Sequence, residues 1–153
     1  MSSETTSAQP SRRRQTALAI VDAYNARNVE AIMSYRTKDC TQQLLPKSLD
    51  RPPMDNATYA VWVAPLLEQI RGFTITIHDV IEDAEANKVV MMGSSVGSSD
   101  VGPYSNEYAL VLYMNEAGDK ITKFFEFVDT NKTVAFFAKL RAYLEEKASA
   151  EGK

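Results

Sequence analysis

The sequence predicts an α+β domain in which a curved antiparallel sheet wraps around helices to form a cone-shaped α+β barrel. Apolar residues recur at helical spacing through most of the first 71 residues. From residue 73 to residue 128 the chain instead has the composition of strands joined by short turns. Long strands with Gly and Ser at their bends curl strongly, so helices on one side of such a sheet enclose a cavity.

Composition restricts the chain to a few classes. Its 153 residues and 44% hydrophobic content suit one domain with one core. A net charge of −3 argues against nucleic-acid binding, and no apolar run approaches the roughly 20 residues of a membrane span. Cys40 is the only cysteine, which excludes an internal disulfide, and with His78 as the only histidine a Cys/His zinc site is not expected. We therefore predict a cytoplasmic protein without a secretory signal.

The predicted helices belong to a single domain over residues 11–147. Residues 1–10 are rich in Ser and Thr and are predicted to be disordered, and residues 148–153 are predicted to form a frayed tail. Helical periodicity predicts helices over residues 11–27, 29–35, 57–71 and 134–147. In the third helix, Asp55 or Asn56 is expected to cap the start, Pro65 to cause a kink or break, and Gly72 to end it.

Five strands complete the prediction, and the last of them organises the rest. They are a short strand over residues 40–45, long strands over 73–86, 88–99 and 104–115, and the strand that contains Glu126. A turn with Gly118 joins the last two as a hairpin. Strand alternation puts Phe124, Glu126 and Val128 on one face of the last strand.

Glu126 is the first candidate for chemistry. If its face lines the cavity, desolvation raises the pKa of the carboxyl group unless a cation or hydrogen-bond donors compensate. A carboxyl group adjusted in this way acts as an acid or base near neutral pH. The alternatives are a buried glutamate satisfied by an arginine, or a glutamate at a frayed strand edge.

Two tyrosines on the preceding strand are the next candidates. Tyr104 and Tyr108 are four residues apart, so they share a strand face with Asn106, Leu110 and Leu112. Pairing that brings this face beside Glu126 would join two phenols and a carboxyl group, and phenols stabilise an enol or alkoxide oxygen as charge develops. The alternative is that both tyrosines are amphipathic lining residues.

Arg36 stands between the second helix and the first strand. It is either a helix-end or surface residue, or it enters the cavity and pairs with Glu126 or a substrate oxygen. His78 shares a face with threonines and is predicted to be a partly exposed strand residue rather than a cavity residue. The predicted substrate contacts are Trp62, Asn106, Leu110, Phe124 and Met92.

Three segments carry a resemblance to a known family. They read DAYNARNVEAIMSYRTKDC, GPYSNEY and FFEFVDT. With the order of elements, they resemble the SnoaL-like proteins in the superfamily of nuclear transport factor two and ketosteroid isomerase. Within that family they resemble fungal isomerases of meroterpenoid and brevianamide-type indole alkaloid pathways, over roughly residues 14–144. The family's Arg, its Tyr pair and its Glu fall on Arg36, Tyr104, Tyr108 and Glu126.

The resemblance implies a homodimeric isomerase with no metal and no organic cofactor. Its substrate would be a small, hydrophobic, oxygenated intermediate, polycyclic and of meroterpenoid or indole alkaloid type, and its partners would include neither nucleic acid nor membrane. Glu126 would be the general acid/base for a semipinacol-type shift or a proton-transfer and lactone rearrangement. Arg36 would set the ionisation of Glu126 or hold a carbonyl, while Tyr104 and Tyr108 orient the reacting oxygen.

Other functions fit the same scaffold. A lyase, a hydrolase or a cyclase would use the same kind of cavity, and a non-catalytic ligand-binding or adaptor module would need no buried acid. The dimer prediction depends on the convex face of the sheet, where Val111, Tyr113 and Phe127 supply an apolar patch for a second subunit.

Overall fold

The chain places three helices before and one helix after a run of four strands, and a fifth strand of the same sheet lies between the second and third helices. The structure is a computed structural model that describes residues 8–152, and the disorder predicted for residues 1–7 lies outside the described residues. The elements in order are α1 (Arg12–Asn25), α2 (Val29–Ser34), β1 (Arg36–Leu45), a 3-10 turn (Lys47–Leu49), α3 (Asn56–Gln69), β2 (Arg71–Asp83), β3 (Lys88–Ser99), β4 (Gly102–Met114), β5 (Ile121–Val128) and α4 (Thr130–Glu151). This is the predicted α+β cone.

The sheet is mixed rather than wholly antiparallel. Its strand order is β1-β5-β4-β3-β2, and β2 to β5 form an antiparallel meander. β1 lies parallel to β5, which corrects the predicted antiparallel sheet. β1 reaches that edge from the start of the chain, and parallel neighbours need no hairpin, so no turn signal in the sequence reports the pairing. Within the described residues the sheet does not close, because β1 and β2 remain its edges.

Four side chains cap the four α-helices in the same way. Each accepts a hydrogen bond from the backbone N–H three residues later, at 2.8–3.1 Å: Ser11, Asn28, Asp55 and Asp129. Because Asp129 caps α4, this helix begins at residue 130 instead of 134. It continues to Glu151, so residues 148–151 are helical, and their fraying stays a prediction. α3 continues through Pro65 without the predicted break.

β1 begins four residues earlier than predicted, and this difference positions the site. Its parallel register with β5 starts at Arg36 opposite Ile121 and shifts between Arg36 and Thr41. The buried side chains of β1 are Arg36, Cys40, Gln42 and Leu44. A polar pair, Arg36 and Gln42, therefore shares the inner face of β1 with Cys40 and Leu44.

The main core fills the space between the inner face of the sheet and helices α1 to α3. α4 adds a smaller cluster at one end, formed by Ile70, Tyr104, Phe136 and Leu140. Among residues 8–152, no helix combines the length and the apolar character that crossing a membrane requires. The unfilled part of the interior lies between the two clusters, and it forms the cavity.

Candidate active site

A cavity opens between the inner face of the sheet and helices α1, α3 and α4. The cavity volume is about 60 Å³, within about 650 Å³ of empty space that includes open solvent at the mouth, and most of the lining is aliphatic or aromatic. The polar or hydroxylated side chains in that lining are Tyr24, Tyr59, Tyr104, Asn106, Tyr108, Glu126 and Thr133. An apolar hollow with a few convergent polar groups is typical of a small-molecule site.

Glu126 is the ionisable acid of the cavity lining. It lies on β5 between Leu110 of β4 and Leu44 of β1, so both neighbours on the sheet are apolar. Burial raises the pKa of its carboxyl group from 4.5 to about 7, although a hydrogen bond from Gln42 and the charge of Arg36 act in the opposite direction. The group is therefore able to donate or accept a proton near neutral pH.

Gln42 connects Glu126 to Arg36. Its side-chain Nε2 donates to Oε1 of Glu126 at 2.5 Å, and its Oε1 accepts a hydrogen bond from Nη1 of Arg36. Arg36 is only 5% exposed, donates from Nε to Oδ1 of Asn56 at 2.8 Å, and lies over the ring of Tyr59. Arg36 is buried as the cavity hypothesis requires, yet it is absent from the cavity lining and reaches Glu126 through Gln42.

The predicted tyrosine pair forms a hydrogen-bonded chain along β4. The hydroxyls of Tyr104 and Tyr108 are 2.9 Å apart, and Tyr108 also bonds the hydroxyl of Ser95 at 2.7 Å. Asn106 donates to Tyr104 at 3.3 Å and to Thr133 at 2.9 Å. Desolvation raises the pKa of both phenols, so they are neutral hydrogen-bonding groups at physiological pH.

A second pair of phenols, absent from the sequence prediction, lines the cavity from the helices. Tyr24 of α1 and Tyr59 of α3 share a hydrogen bond between their hydroxyls. Burial is the main cause that raises the pKa of each, and the negative charge of Glu126 adds to it. In the sequence both tyrosines belong to the apolar stripes of their helices. The one feature that indicates a role in a polar site is that a buried phenol hydroxyl needs a hydrogen-bond partner.

The remaining predicted residues divide into two groups. Trp62, Asn106, Leu110 and Phe124 line the cavity as predicted. Met92 does not, because β3 alternates so that Met91 faces the core while Met92 is 42% exposed on the outer face.

His78 is also exposed, and its Nε2 lies 2.8 Å from the hydroxyl of Ser94. Within residues 8–152, no three His, Cys, Asp or Glu side chains cluster as a metal ion would require. The predicted absence of metal and cofactor stays a prediction.

No family model matches the chain, but individual proteins do. Core atranone cluster protein 11 of Stachybotrys chlorohalonatus is 30% identical over 129 residues, which cover 84% of this chain and 96% of that protein. Monooxygenase nsrQ of Aspergillus novofumigatus is 34% identical over 108 residues, covering 71% and 72%. The crystal structure of BvnE pinacolase from Penicillium brevicompactum has a TM-score of 0.82 at 28% identity, covering 87% and 96%.

Proposed function

The chain belongs to the SnoaL-like family of fungal secondary-metabolism proteins, and from this premise we propose that it is a cofactor-independent isomerase. Its substrate class is a polycyclic, oxygenated meroterpenoid or indole alkaloid intermediate. The observation that carries the proposal is Glu126, a carboxyl group with a near-neutral pKa in an apolar cavity. The similarity to a pinacolase supports an acid-catalysed skeletal rearrangement as the reaction class.

A semipinacol-type shift illustrates the proton balance. Neutral Glu126 gives its proton to the oxygen of a substrate epoxide, and one of the two carbon–oxygen bonds of the epoxide breaks, so that this oxygen stays on the substrate as a hydroxyl. A neighbouring carbon–carbon bond migrates to the electron-deficient carbon, and an adjacent hydroxyl becomes a carbonyl. The proton of that hydroxyl returns to the Glu126 carboxylate, so the product has the mass of the substrate and the enzyme is restored.

The other polar groups prepare this transfer. Tyr104 and Tyr108 bind the oxygen on which charge changes, because neutral phenols donate hydrogen bonds to it without competing as acids. Arg36 acts through Gln42 to limit the rise in the pKa of Glu126. The cavity walls, including Trp62, exclude water from the cationic intermediate and fix its conformation.

The test is product analysis with matched variants. Candidate intermediates bearing a hydroxyl next to an epoxide are incubated with wild type, Glu126→Gln and Glu107→Gln, the last replacing an exposed carboxyl of β4. We expect a product of unchanged mass from wild type and Glu107→Gln, and a loss of at least about 100-fold in kcat for Glu126→Gln. Circular dichroism checks folding. Normal turnover by Glu126→Gln contradicts the assignment of the acid.

A second candidate is oxygenation, because a relative with 34% identity carries the name monooxygenase. An oxygenase adds the mass of oxygen to its substrate, whereas a lyase or hydrolase removes or adds a fragment. The same mass spectra therefore separate these three reactions from isomerisation and cyclisation, which both leave the mass unchanged. The number of rings in the product then distinguishes cyclisation from isomerisation. A binding or adaptor module would give no product at all.

We also propose that two copies associate through the outer face of the sheet. Strand register aligns an apolar row across β2, β3, β4 and β5, formed by Ile81, Val90, Val111 and Phe125. The next row along the strands includes Met92 and Phe127, which are 42% and 50% exposed. Exposed apolar rows on the outer face of a sheet are the kind of surface that an identical subunit covers.

A further inference from the structure

Gln42 is a fully buried polar side chain whose backbone is fixed on both sides. On one side, Gln42 of β1 lies opposite Phe124 of β5 in the parallel pairing of the two strands. Its N–H donates to the carbonyl of Met54 at 2.9 Å, and its carbonyl accepts from the N–H of Met54 at 2.7 Å. With no exposed surface and a pinned backbone, its amide group has little freedom to rotate away from its two partners.

The orientation of that amide follows from its arginine partner. A guanidinium has only donors, so the group of Gln42 that faces Arg36 must be the carbonyl oxygen. The amide nitrogen must then face Glu126, and it has only hydrogen atoms to offer. Arg36 itself is held by Asn56, whose own Nδ2 donates to the carbonyls of Thr37 and Lys38.

The two oxygens of Glu126 are consequently unequal. Oε1 accepts the hydrogen bond from Gln42, while Oε2 has no hydrogen bond to the described residues. Among those residues, the one side-chain polar atom that is both buried and without a partner is Nη2 of Arg36. Since Oε2 has no partner either, it is not fully buried, and it retains accessible surface toward the cavity that Glu126 lines. In a neutral carboxylic acid the carbonyl oxygen is the better acceptor, which leaves the hydrogen on the other oxygen.

We propose that Gln42 is a positioning residue that keeps the acid proton of Glu126 on Oε2, the oxygen that faces the substrate. This inference rests on the proposed role of Glu126 as the acid. Without Gln42, the proton would distribute between both oxygens and the carboxyl group would be free to turn. Arg36 thus fixes the orientation of the Gln42 amide, and Gln42 in turn fixes the direction from which Glu126 delivers its proton.

The titratable or charged side chains around Glu126 come from four other elements and are Tyr24, Arg36, Tyr59, Tyr104 and Tyr108. The four phenols are neutral in the range of interest, so Arg36 supplies the only full charge among these neighbours. A titration of Glu126 near neutral pH therefore reports its own proton and the influence of the Arg36–Gln42 pair.

Isotope-edited infrared spectroscopy tests the proposal without a substrate. Protein labelled with ¹³C at the side-chain carboxyl groups of glutamate is compared with the same preparation of Glu126→Gln, which identifies the carbonyl band of neutral Glu126. In Gln42→Leu we expect this band to move to higher wavenumber, because its carbonyl oxygen loses a hydrogen bond. We expect the titration midpoint to rise by about one to two pH units.

Gln43→Leu is the matched control, since this neighbour faces away from the cavity and donates to the carbonyl of Arg51. It should leave both the band and the midpoint unchanged. If Gln42→Leu fails to fold because Arg36 loses a partner, the double variant Arg36→Leu with Gln42→Leu removes both polar groups and should show the same two shifts.

An unchanged carbonyl band in a folded Gln42 variant overturns the positioning role, even if Glu126 is essential for turnover. Conversely, normal turnover by Glu126→Gln overturns the proposed function, even if the band moves. With an active substrate, Gln42→Leu should lower kcat at least about tenfold with little change in KM, because substrate contacts are kept.

Discussion

The raised pKa of Glu126 predicts a pH-dependent cost in stability that Glu126→Gln removes. Glutamine has nearly the shape of a neutral glutamic acid, and its Oε1 can accept the same hydrogen bond from Gln42. It cannot ionise. Wild type and variant should therefore have similar stabilities in acid, where the carboxyl group is neutral in both folded and unfolded chains.

The sign and size follow from proton linkage. The folded protein holds its proton up to a pKa of about 7, whereas the unfolded chain releases it near 4.5. Stability from the neutral acid is complete below the unfolded pKa and is lost as the pH rises through the folded one. The difference of about 2.5 pH units corresponds to about 3 kcal/mol lost by wild type relative to the variant between pH 4 and pH 8.

Urea unfolding, followed by the fluorescence of the single tryptophan, Trp62, measures this difference at each pH. Other ionisable groups contribute equally to both proteins and cancel in the comparison. Glu107→Gln on the exposed face of β4 is the control and should follow wild type throughout. A constant difference between wild type and Glu126→Gln from pH 4 to pH 8 would refute the claim that burial keeps this acid neutral.

Three further perturbations test other parts of the site and surface. Tyr108→Phe leaves the hydroxyl of Ser95 without its phenol partner, so thermal or urea unfolding should show a loss of about 1–2 kcal/mol, with kcat also reduced. Arg36→Leu removes a positive charge that lowers the pKa of Glu126, so its ¹³C-detected titration midpoint should move upward, whereas Arg36→Lys should restore part of the shift. Phe127→Glu puts a charge in the outer apolar row, and sedimentation equilibrium should show monomers where wild type forms dimers; a monomeric wild type would contradict the dimer proposal.

The sequence was informative wherever strand alternation alone decided a position. β4 keeps an unbroken period of two, so Tyr104, Asn106 and Tyr108 all face inward, as their spacing predicted. The same rule places Glu126 between Phe124 and Val128 on the inner face of β5. Antiparallel neighbours joined by a short turn have their faces fixed relative to each other, which is why two local patterns sufficed to bring these groups to one cavity.

The prediction failed where contacts depend on partners distant in the chain. β1 pairs with β5 across more than 80 residues, with a register shift after Arg36, and neither feature leaves a local signal. The sequence alone therefore does not identify Gln42 as a buried residue, although Gln42 lies two positions from both Cys40 and Leu44 on the inner face. Met92 was misplaced for a simpler reason: in the run of four apolar residues that ends with it, composition does not reveal which parity faces inward.

Arg36 does not contact Glu126 directly but is connected to it through Gln42. This separation explains why the cavity contains a carboxylic acid rather than an ion pair. A guanidinium in direct contact with a carboxylate lowers its pKa by roughly one to three units, which would leave Glu126 ionised at neutral pH and unable to donate a proton. A cavity with no cation nearby would raise the pKa further and make the conjugate base too costly to form. With Gln42 between the two groups, Arg36 still stabilises the carboxylate, but more weakly, and the carboxyl group titrates near pH 7. In our proposal the same arrangement also directs the proton, because the neutral amide of Gln42 donates to Oε1 of Glu126 and leaves the proton on Oε2. A positive charge in the place of that amide would instead have kept Glu126 ionised.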